Sequence, residues 1–318
     1  MKKILFILSL VLAFHSVALA GTAKKGASVM DSEYDTLGNT CKANGKCTYT
    51  HREVLPGGIK AEVQIVSLGA FKGNVDEIFN YAFGDVRRVA DLLDENNPNG
   101  ETAKVNNNAG GGFVEVGPEF AQLIDAAKKV YLWTDGAFDI STAPENGTFK
   151  NIKIKNNLVL LKKPGMKISF KNIINGYIAD LLIRAIYNSS IDNALVEVGT
   201  TSRSIGTSVA GPWRTQVDDS TNKLARRGMT LDTSNVSVGS VVAGANAPTV
   251  DPRWNIPLDP APCRSVTIIS RNAAISEALA AGIFVLGPQK GLPLMTTLQT
   301  VRGVIVDNDG NFLKSPGL

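Results

Sequence analysis

Hydrophobic residues recur at two different spacings along the chain, and these spacings predict both helices and strands. Residues 74–93 carry apolar side chains every three or four positions, which predicts a helix capped by Asn74. Pro118 opens a second segment of this kind, which runs to about Trp133. Residues 59–66 instead alternate apolar and polar side chains and are rich in β-branched residues, which predicts a strand.

The rest of the chain mixes the same two patterns. The predicted elements are a long polar loop over 94–112, a hairpin of 158–163 with 166–170, a helix over 176–188, a strand within 193–199, a strand within 212–219, irregular β structure over 230–249, a strand over 265–270, a helix over 273–287 that ends at Gly287, and a late strand over 301–307. Strands and helices do not follow a strict β-α-β order. We therefore predict an α+β fold, with one large mixed domain.

The first twenty residues have the pattern of a secretory signal peptide. Lys2 and Lys3 precede an apolar run, and Ala18-Leu19-Ala20 supplies a cleavage site. The apolar run is shorter than the roughly 20 residues that a membrane span needs, and no cysteine follows the cleavage site to carry a lipid. We therefore expect a protein that is periplasmic or otherwise exported, is cleaved near Ala20, and has no membrane span in the mature chain.

Residues 21–58 show little periodicity and predict an N-terminal extension ahead of a domain over 59–318. The extension is either loosely ordered or held by a disulfide between Cys41 and Cys47, because export permits disulfides. A weaker alternative is that this cysteine pair serves a periplasmic redox partner. Cys263 is then the odd cysteine, and a buried free thiol is its simplest interpretation.

Composition and charge exclude several function classes. The chain has 318 residues, 44% hydrophobic and 19% charged, which is typical of a soluble globular protein. Its net charge of +4 falls to +2 without Lys2 and Lys3, and no stripe of Lys and Arg is present, so a nucleic-acid partner is not expected. His51 is the only histidine beyond the predicted signal peptide. His51 is therefore the only candidate for a histidine base, and a metal site with two histidine ligands is excluded.

Three polar features are candidates for chemistry. Gly176, at the predicted start of a helix, leaves backbone N–H groups that suit a phosphate, with Lys171 as the nearby cation. Glu277, expected in the first turn of the helix over 273–287, either holds a hard cation such as Mg²⁺ or has a structural role. Gly136 predicts a helix cap, and the neighbouring Asp135 and Asp139 are either ligands or turn residues.

A set of segments from about residue 60 to the C-terminus stands in the order and spacing of one family. They are TDGAFDIS, ISFKNIINGYIAD, NALVEVG, PWRTQVDD, VDPRWNIPL, SVTIIS and AAISEALAAGIFVLGPQKGL. Together they resemble the ApbE family, the FAD:protein FMN transferases. The resemblance implies an exported bacterial α+β protein that binds FAD and Mg²⁺. It also implies transfer of FMN to a Ser or Thr hydroxyl of an exported acceptor protein, with release of AMP.

The resemblance further implies site residues, although it singles out none as catalytic. The expected contacts to the flavin nucleotide are Leu68, Gly69, Gly136, Ala137, Phe138, Asp139, Ser169, Asn175, Gly176, Thr249 and Val250. The expected metal-contacting residues are Asn172 and Glu277. We also expect Phe138, Gly176 and Glu277 to line one common cavity.

Several positions depart from the family pattern. Ser169 stands where the family usually has an aspartate, and Asn175 stands where it often has a lysine. Pro248 replaces a histidine, and Ala281 replaces a threonine associated with the metal. An aromatic residue proposed to stack on the flavin would fall near Asn96. Two interpretations stay open: a divergent transferase, or a catalytically inactive flavin-binding or protein-interaction module of the bacterial envelope.

Overall fold

The computed structural model of the chain describes residues 38–42, 45–68, 74–142, 148–217 and 229–318. The predicted signal peptide, with its cleavage site near Ala20, lies outside these ranges. Gly69 also lies outside them, and only the backbone of Leu68 is described. The division between an extension and a domain at residue 58 stays a prediction, but every described residue belongs to one unit, Tyr34–Leu318.

The described ranges contain five α-helices and twenty strands of two to ten residues. The helices are α1 (Val75–Leu93), α2 (Glu101–Asn107), α3 (Pro118–Trp133), α4 (Ile174–Asn188) and α5 (Ala273–Thr297). The strands are β1 (Gly38–Cys41), β2 (Lys46–Leu55), β3 (Ile59–Leu68), β4 (Val114–Glu115), β5 (Ser141–Thr142), β6 (Ile152–Lys155), β7 (Leu158–Leu161), β8 (Lys167–Ile168), β9 (Ala194–Val198), β10 (Thr201–Ile205), β11 (Thr207–Ser208), β12 (Gly211–Pro212), β13 (Arg214–Val217), β14 (Met229–Asp232), β15 (Ser237–Val242), β16 (Val250–Asp251), β17 (Ile256–Pro257), β18 (Ser265–Ser270), β19 (Arg302–Val306) and β20 (Phe312–Lys314).

Nine of these strands form one sheet in the order β1-β2-β3-β9-β10-β15-β18-β19-β20, and all neighbours are antiparallel. The remaining strands form a small three-stranded sheet and four two-stranded ribbons. Helices combined with a large antiparallel sheet confirm the predicted α+β class.

The helices cover the sheet through two apolar cores. One core joins α1 and α4 to β2, β3 and β9 and includes Phe79, Phe83 and Leu182. The other surrounds α5, which packs on β15 and β18 and also contacts α3. Within the described ranges, α5 is the only helix long and apolar enough to cross a membrane, but 61% of its most apolar window is buried in the protein. It is therefore a core helix of this fold.

Most of the strongly periodic segments form the predicted elements. α1 and α3 have the expected bounds, and the Asn74 side chain accepts a 3.1 Å hydrogen bond from the Asp76 N–H, as a capping residue does. The predicted end at Gly287 is a break inside α5, where this residue has φ of 68°. The helix predicted from residue 176 begins two residues earlier, at Ile174.

Three predictions of local structure are wrong. The polar loop over 94–112 contains α2, which is stabilised because Thr102, Ala103 and Val105 are buried. The predicted hairpin of 158–163 with 166–170 does not form, since β7 pairs with β6 and β4 while β8 pairs with β5. Residues 230–249 are not irregular throughout, because β15 is a regular strand inside the nine-stranded sheet.

The N-terminal part of the described chain is tied to the sheet. β2 pairs with β3 along its whole length, from Lys46 opposite Leu68 to Leu55 opposite Ile59. The extension is therefore not loosely ordered over β2. The predicted disulfide between Cys41 and Cys47 is present and joins β1 to β2, and Cys263 is a buried free thiol, as expected.

Candidate functional site

The site is built on the crossing of α4 and α5. Gly176 lies in the first turn of α4, and a Cβ atom at this position would lie 2.2 Å from the carbonyl oxygen of Ala273. No side chain fits in that space, so glycine allows the two helix backbones to approach each other closely. The crossing places the start of α4 directly beside Glu277.

The Glu277 carboxylate occupies the start of α4. Its Oε2 accepts a 2.7 Å hydrogen bond from the Gly176 N–H, and Asn175 donates to it from its backbone and its side chain. Burial raises the pKa of Glu277 to about 8, although these hydrogen bonds favour the charged form. The N–H groups expected to face a phosphate therefore already bind a carboxylate of the protein. Glu277 lies in the second turn of α5, not the predicted first turn, which contains no acidic residue.

A cleft of about 440 Å³ opens next to Glu277. Its walls come from residues 56–60 before and within β3, residues 90–96 at and after the end of α1, residues 169–175 before and at the start of α4, and the turn at 199–200 between β9 and β10. Charged side chains of both signs line it: Lys60, Lys171, Asp94, Glu95 and Glu277. Cations, carboxylates and amide groups therefore lie among apolar residues in this lining, a mixture that is typical of small-molecule sites.

Four of the predicted site residues meet in this cleft. Ser169, Asn172, Asn175 and Glu277 all line it. Gly176 lies immediately behind them, with its N–H on Glu277. Asn96, which stands where the family has an aromatic residue, lines the cleft as well. The structure thus brings these positions together, while their binding of a flavin or a metal stays a prediction.

Residues 136–139 form a buried turn that does not line the cleft. Gly136 has φ of 78° and donates its N–H to the Tyr131 carbonyl, so it caps α3 as predicted. Ala137 is buried, and Phe138 is 4% exposed, with its N–H bonded to Thr134 Oγ1. The expectation of one cavity lined by Phe138, Gly176 and Glu277 is therefore wrong: Phe138 packs into the core, Gly176 lies behind the wall, and of the three only Glu277 lines the cleft.

Asp139 holds this turn together through its carboxylate. It accepts hydrogen bonds from the N–H and the hydroxyl of Ser141 and from the N–H of Phe149. Burial raises the pKa of Asp139 in spite of these bonds. These hydrogen bonds within the turn fit the predicted role of Asp139 as a turn residue.

Thr249 and Val250 lie at the β16–β17 hairpin and not on the cleft wall. The Thr249 carbonyl accepts a 2.8 Å hydrogen bond from the Leu258 N–H, and Val250 pairs with Pro257 and is exposed. The neighbouring Asp251 is bound to Arg253. Thr249 and Val250 were expected to contact the flavin nucleotide, but neither residue lines this cleft.

Among the cleft residues that sequence reasoning did not name are two polar residues that are hydrogen-bonded to each other. Thr200 occupies the turn between β9 and β10, and Asn246 follows β15. The run of small residues after Val198 is typical of a loop whose backbone N–H groups could contact a ligand, but it indicates no particular side chain. Asn246 follows no pattern in the sequence, and only the pairing of β10 with β15 brings it near the turn.

The cleft offers too few metal-binding side chains to hold a magnesium ion without a bound nucleotide. Across the ranges that the structure describes, no three His, Cys, Asp or Glu side chains form a cluster able to hold a metal. Glu277 offers one carboxylate and Asn172 one amide oxygen in the same cleft. Mg²⁺ commonly binds one or two carboxylates and takes its other ligands from water and phosphate oxygens, so the residues fit an ion that enters with a nucleotide.

Comparison with known proteins gives one consistent family. The model of the ApbE family matches residues 58–305. An FAD:protein FMN transferase of Klebsiella pneumoniae is 23% identical over 260 residues, which are 72% of this chain and 82% of that protein.

Solved structures agree in fold. The flavin transferase ApbE of Vibrio cholerae superposes with a TM-score of 0.73 at 16% identity, over 85% of this chain and 98% of that one. The ApbE protein of Thermotoga maritima gives a TM-score of 0.69 at 25% identity, over 85% and 97% of the two chains.

Proposed function

Because the chain belongs to the ApbE family, we propose that it is a flavin transferase that moves FMN from FAD to a Ser or Thr hydroxyl of an exported acceptor protein with Mg²⁺. The observation that carries the proposal is the cleft. Most of its lining lies in the region matched by the family model, including Ser169, Asn172, Asn175 and Glu277. The Klebsiella relative, named as an FAD:protein FMN transferase, supports the same reaction.

The proposed reaction is a phosphoryl transfer. The acceptor oxygen forms a bond to the phosphorus of the FMN half, the bond from that phosphorus to the bridging oxygen breaks, and AMP leaves with the bridging oxygen. The hydroxyl proton is released to solvent. The site must hold the hydroxyl in line with the leaving group and balance the charge on the phosphate oxygens.

The residues of the cleft divide these tasks. Glu277 and Asn172 would hold the magnesium ion, which when bound neutralises charge on the phosphate oxygens. Lys171, an exposed cation on the wall, attracts the nucleotide. Asn175 contributes a neutral amide where the family often has a lysine. A neutral donor gives a weaker hydrogen bond to a phosphate than a charged one, so we propose a transferase with modest nucleotide affinity.

A transfer assay with the mature full chain tests the function. The protein is incubated with FAD, Mg²⁺ and a panel of exported candidate acceptors, and covalent flavin fluorescence is recorded on denaturing gels. We expect a fluorescent acceptor band that requires Mg²⁺ and is lost in Glu277→Gln. FAD binding without a band for any acceptor would instead support the inactive flavin-binding module.

A second experiment tests the positions at which the chain departs from the family pattern. Ala281 is buried on α5 and has no side-chain oxygen for a metal. If the protein binds FAD but is inactive, the double variant Ala281→Thr with Glu277→Asp should create activity. A protein that binds no FAD, with or without Mg²⁺, contradicts both the transferase and the flavin-binding module.

We also propose that the protein is exported. The proposal rests on the pattern of the first twenty residues, and it predicts a mature N-terminus near Gly21. The intact mass of the protein from a periplasmic extract would give this terminus. A full-length mass in the cytosolic fraction contradicts export.

A further inference from the structure

The turn between β9 and β10 presents a hydroxyl to the cleft. Gly199 and Thr200 are the two residues of this turn, and both are exposed and line the cleft. Gly199 has φ of 57°, and its N–H donates to the Lys60 carbonyl at 3.1 Å, which fixes the turn on β3. The Thr200 side chain is therefore held at a defined place on the wall.

Asn246 fixes the direction of the Thr200 hydroxyl. The Oδ1 atom of Asn246 accepts a 2.8 Å hydrogen bond from the Val242 N–H, which can only donate, so the opposite end of the amide is the NH₂ group. This NH₂ group donates to the Ser240 carbonyl at 2.9 Å and to Thr200 Oγ1 at 2.8 Å. Thr200 Oγ1 is thus an acceptor toward Asn246.

The hydroxyl proton of Thr200 is consequently free to point into the cleft. An oxygen that accepts from an amide directs its own proton away from that donor. Within the part of the chain that the structure describes, no protein acceptor is found for this proton. Asn175 lies beside the same turn, because its Nδ2 is 2.9 Å from the position of a Cβ on Gly199. The Thr200 hydroxyl and the Asn175 amide, which also donates to Glu277, therefore belong to neighbouring parts of the cleft wall.

We propose that Thr200 donates its hydroxyl proton to a phosphate oxygen of the bound nucleotide, and that Asn246 is a positioning residue that orients this hydroxyl. The inference rests on the proposed function, which supplies the nucleotide. A phosphate oxygen can accept this proton, and two cations, Lys60 and Lys171, line the same cleft together with the carboxyl groups of Asp94, Glu95 and Glu277. The pair gives the site a neutral phosphate contact that the sequence did not predict.

Isothermal titration of the mature full chain with FAD, AMP and riboflavin tests the proposal. Thr200→Val keeps the shape of the side chain but removes the hydroxyl, and we expect about 10-fold weaker FAD binding, a loss of about 1.4 kcal/mol, because the hydrogen bond to a charged phosphate is removed. Thr200→Ser keeps the hydroxyl and should bind FAD within about 3-fold of wild type. Riboflavin has no phosphate, so its affinity should not change in either variant.

The role of Asn246 requires a double-variant comparison. Asn246→Ala should weaken FAD binding by a similar factor, and adding it to Thr200→Val should cause little further loss, because both changes remove one contact. A structural role for Asn246 would instead weaken the double variant further and would lower riboflavin affinity as well. Unfolding midpoints of all variants identify any loss of folded protein.

Each outcome decides the proposal. Equal FAD affinity of wild type and Thr200→Val overturns it while the proposed function stands. Failure of Thr200→Ser to restore binding also overturns it. A wild-type protein that binds none of the three ligands overturns the proposed function and this inference together. A loss of affinity in Thr200→Val that is equally large for riboflavin shows a contact to the flavin and contradicts a phosphate contact.

Discussion

The Oε2 atom of Glu277 lies 2.7 Å from the backbone nitrogen of Gly176, so a carboxylate on α5 closes the start of α4. This contact explains why the start of α4 has the sequence pattern of a phosphate site. The glycine and the uncapped N–H groups are present, but their anion is supplied by the protein. The absence of a side chain at Gly176 is what allows the carboxylate and the helix to meet.

The first prediction concerns the helix crossing. Gly176→Ala would place a Cβ atom 2.2 Å from the Ala273 carbonyl oxygen, where only backbone atoms are present and little can move. We expect a loss of about 3 kcal/mol or more in the free energy of unfolding, measured in urea. Gly84→Ala is the matched control, since Gly84 lies inside α1 with nothing near its Cβ position. It should stabilise the protein by about 0.5–1 kcal/mol, and equal effects of the two variants would contradict the explanation.

The second prediction separates the two roles of Glu277. Burial raises the pKa of Glu277 to about 8, so this carboxyl group loses its charge more readily than an exposed one. Glu277→Gln keeps an oxygen for the Gly176 N–H and should change stability by less than about 1 kcal/mol. Glu277→Ala leaves that buried N–H without its partner and should cost about 1–3 kcal/mol more than the Gln variant. Similar unfolding midpoints for the two variants would show that the contact adds nothing to stability.

The third prediction is a pH dependence from Asp180. Its carboxylate accepts from the N–H groups of Ala273 and Ala274 at the start of α5, and Arg203 and Arg184 are the charged groups near it. Burial raises the pKa of Asp180 to about 6, above its value in the unfolded chain. Its contribution to stability is therefore complete below about pH 4 and is lost as pH rises to about 6.

Asp180→Asn provides the measurement. The amide oxygen still accepts from the helix N–H groups but does not titrate. Wild type should lose about 2 kcal/mol of unfolding free energy relative to this variant between pH 4 and pH 7. Parallel stability curves for the two proteins over this range would be incompatible with a raised pKa at Asp180.

The fourth prediction concerns the disulfide between Cys41 and Cys47, which joins two paired strands at the edge of the sheet. Closing so short a loop restricts the unfolded chain modestly, so the double variant Cys41→Ser with Cys47→Ser should lose about 2 kcal/mol of stability. Reductant should lower the unfolding midpoint of wild type in the same way. Addition of reductant to the double variant is the control, and any further decrease there would point to a different cause.

Much of the fold could be predicted because its patterns are local. The apolar spacing of α1 and α3 and the alternation in β3 are properties of neighbouring residues, and the structure confirms these elements. α2 was missed because its segment is rich in Gly, Pro and Asn, and burial of Ala103 and Val105 outweighs that preference. The pairing of β7 and β8 was also wrong, because a strand pattern does not specify its partner.

The sequence by itself determined the α+β class, the family resemblance and the cysteine pair, because periodicity, motif order and close spacing are readable along the chain. The tertiary structure decided which polar residues share the cleft. It brought Glu277 to Gly176 across 101 positions and Asn246 to Thr200 across 46. Hydrogen bonds depend on the position and direction of both partners, and for residues so far apart in the chain these are set only by the packing of helices and strands.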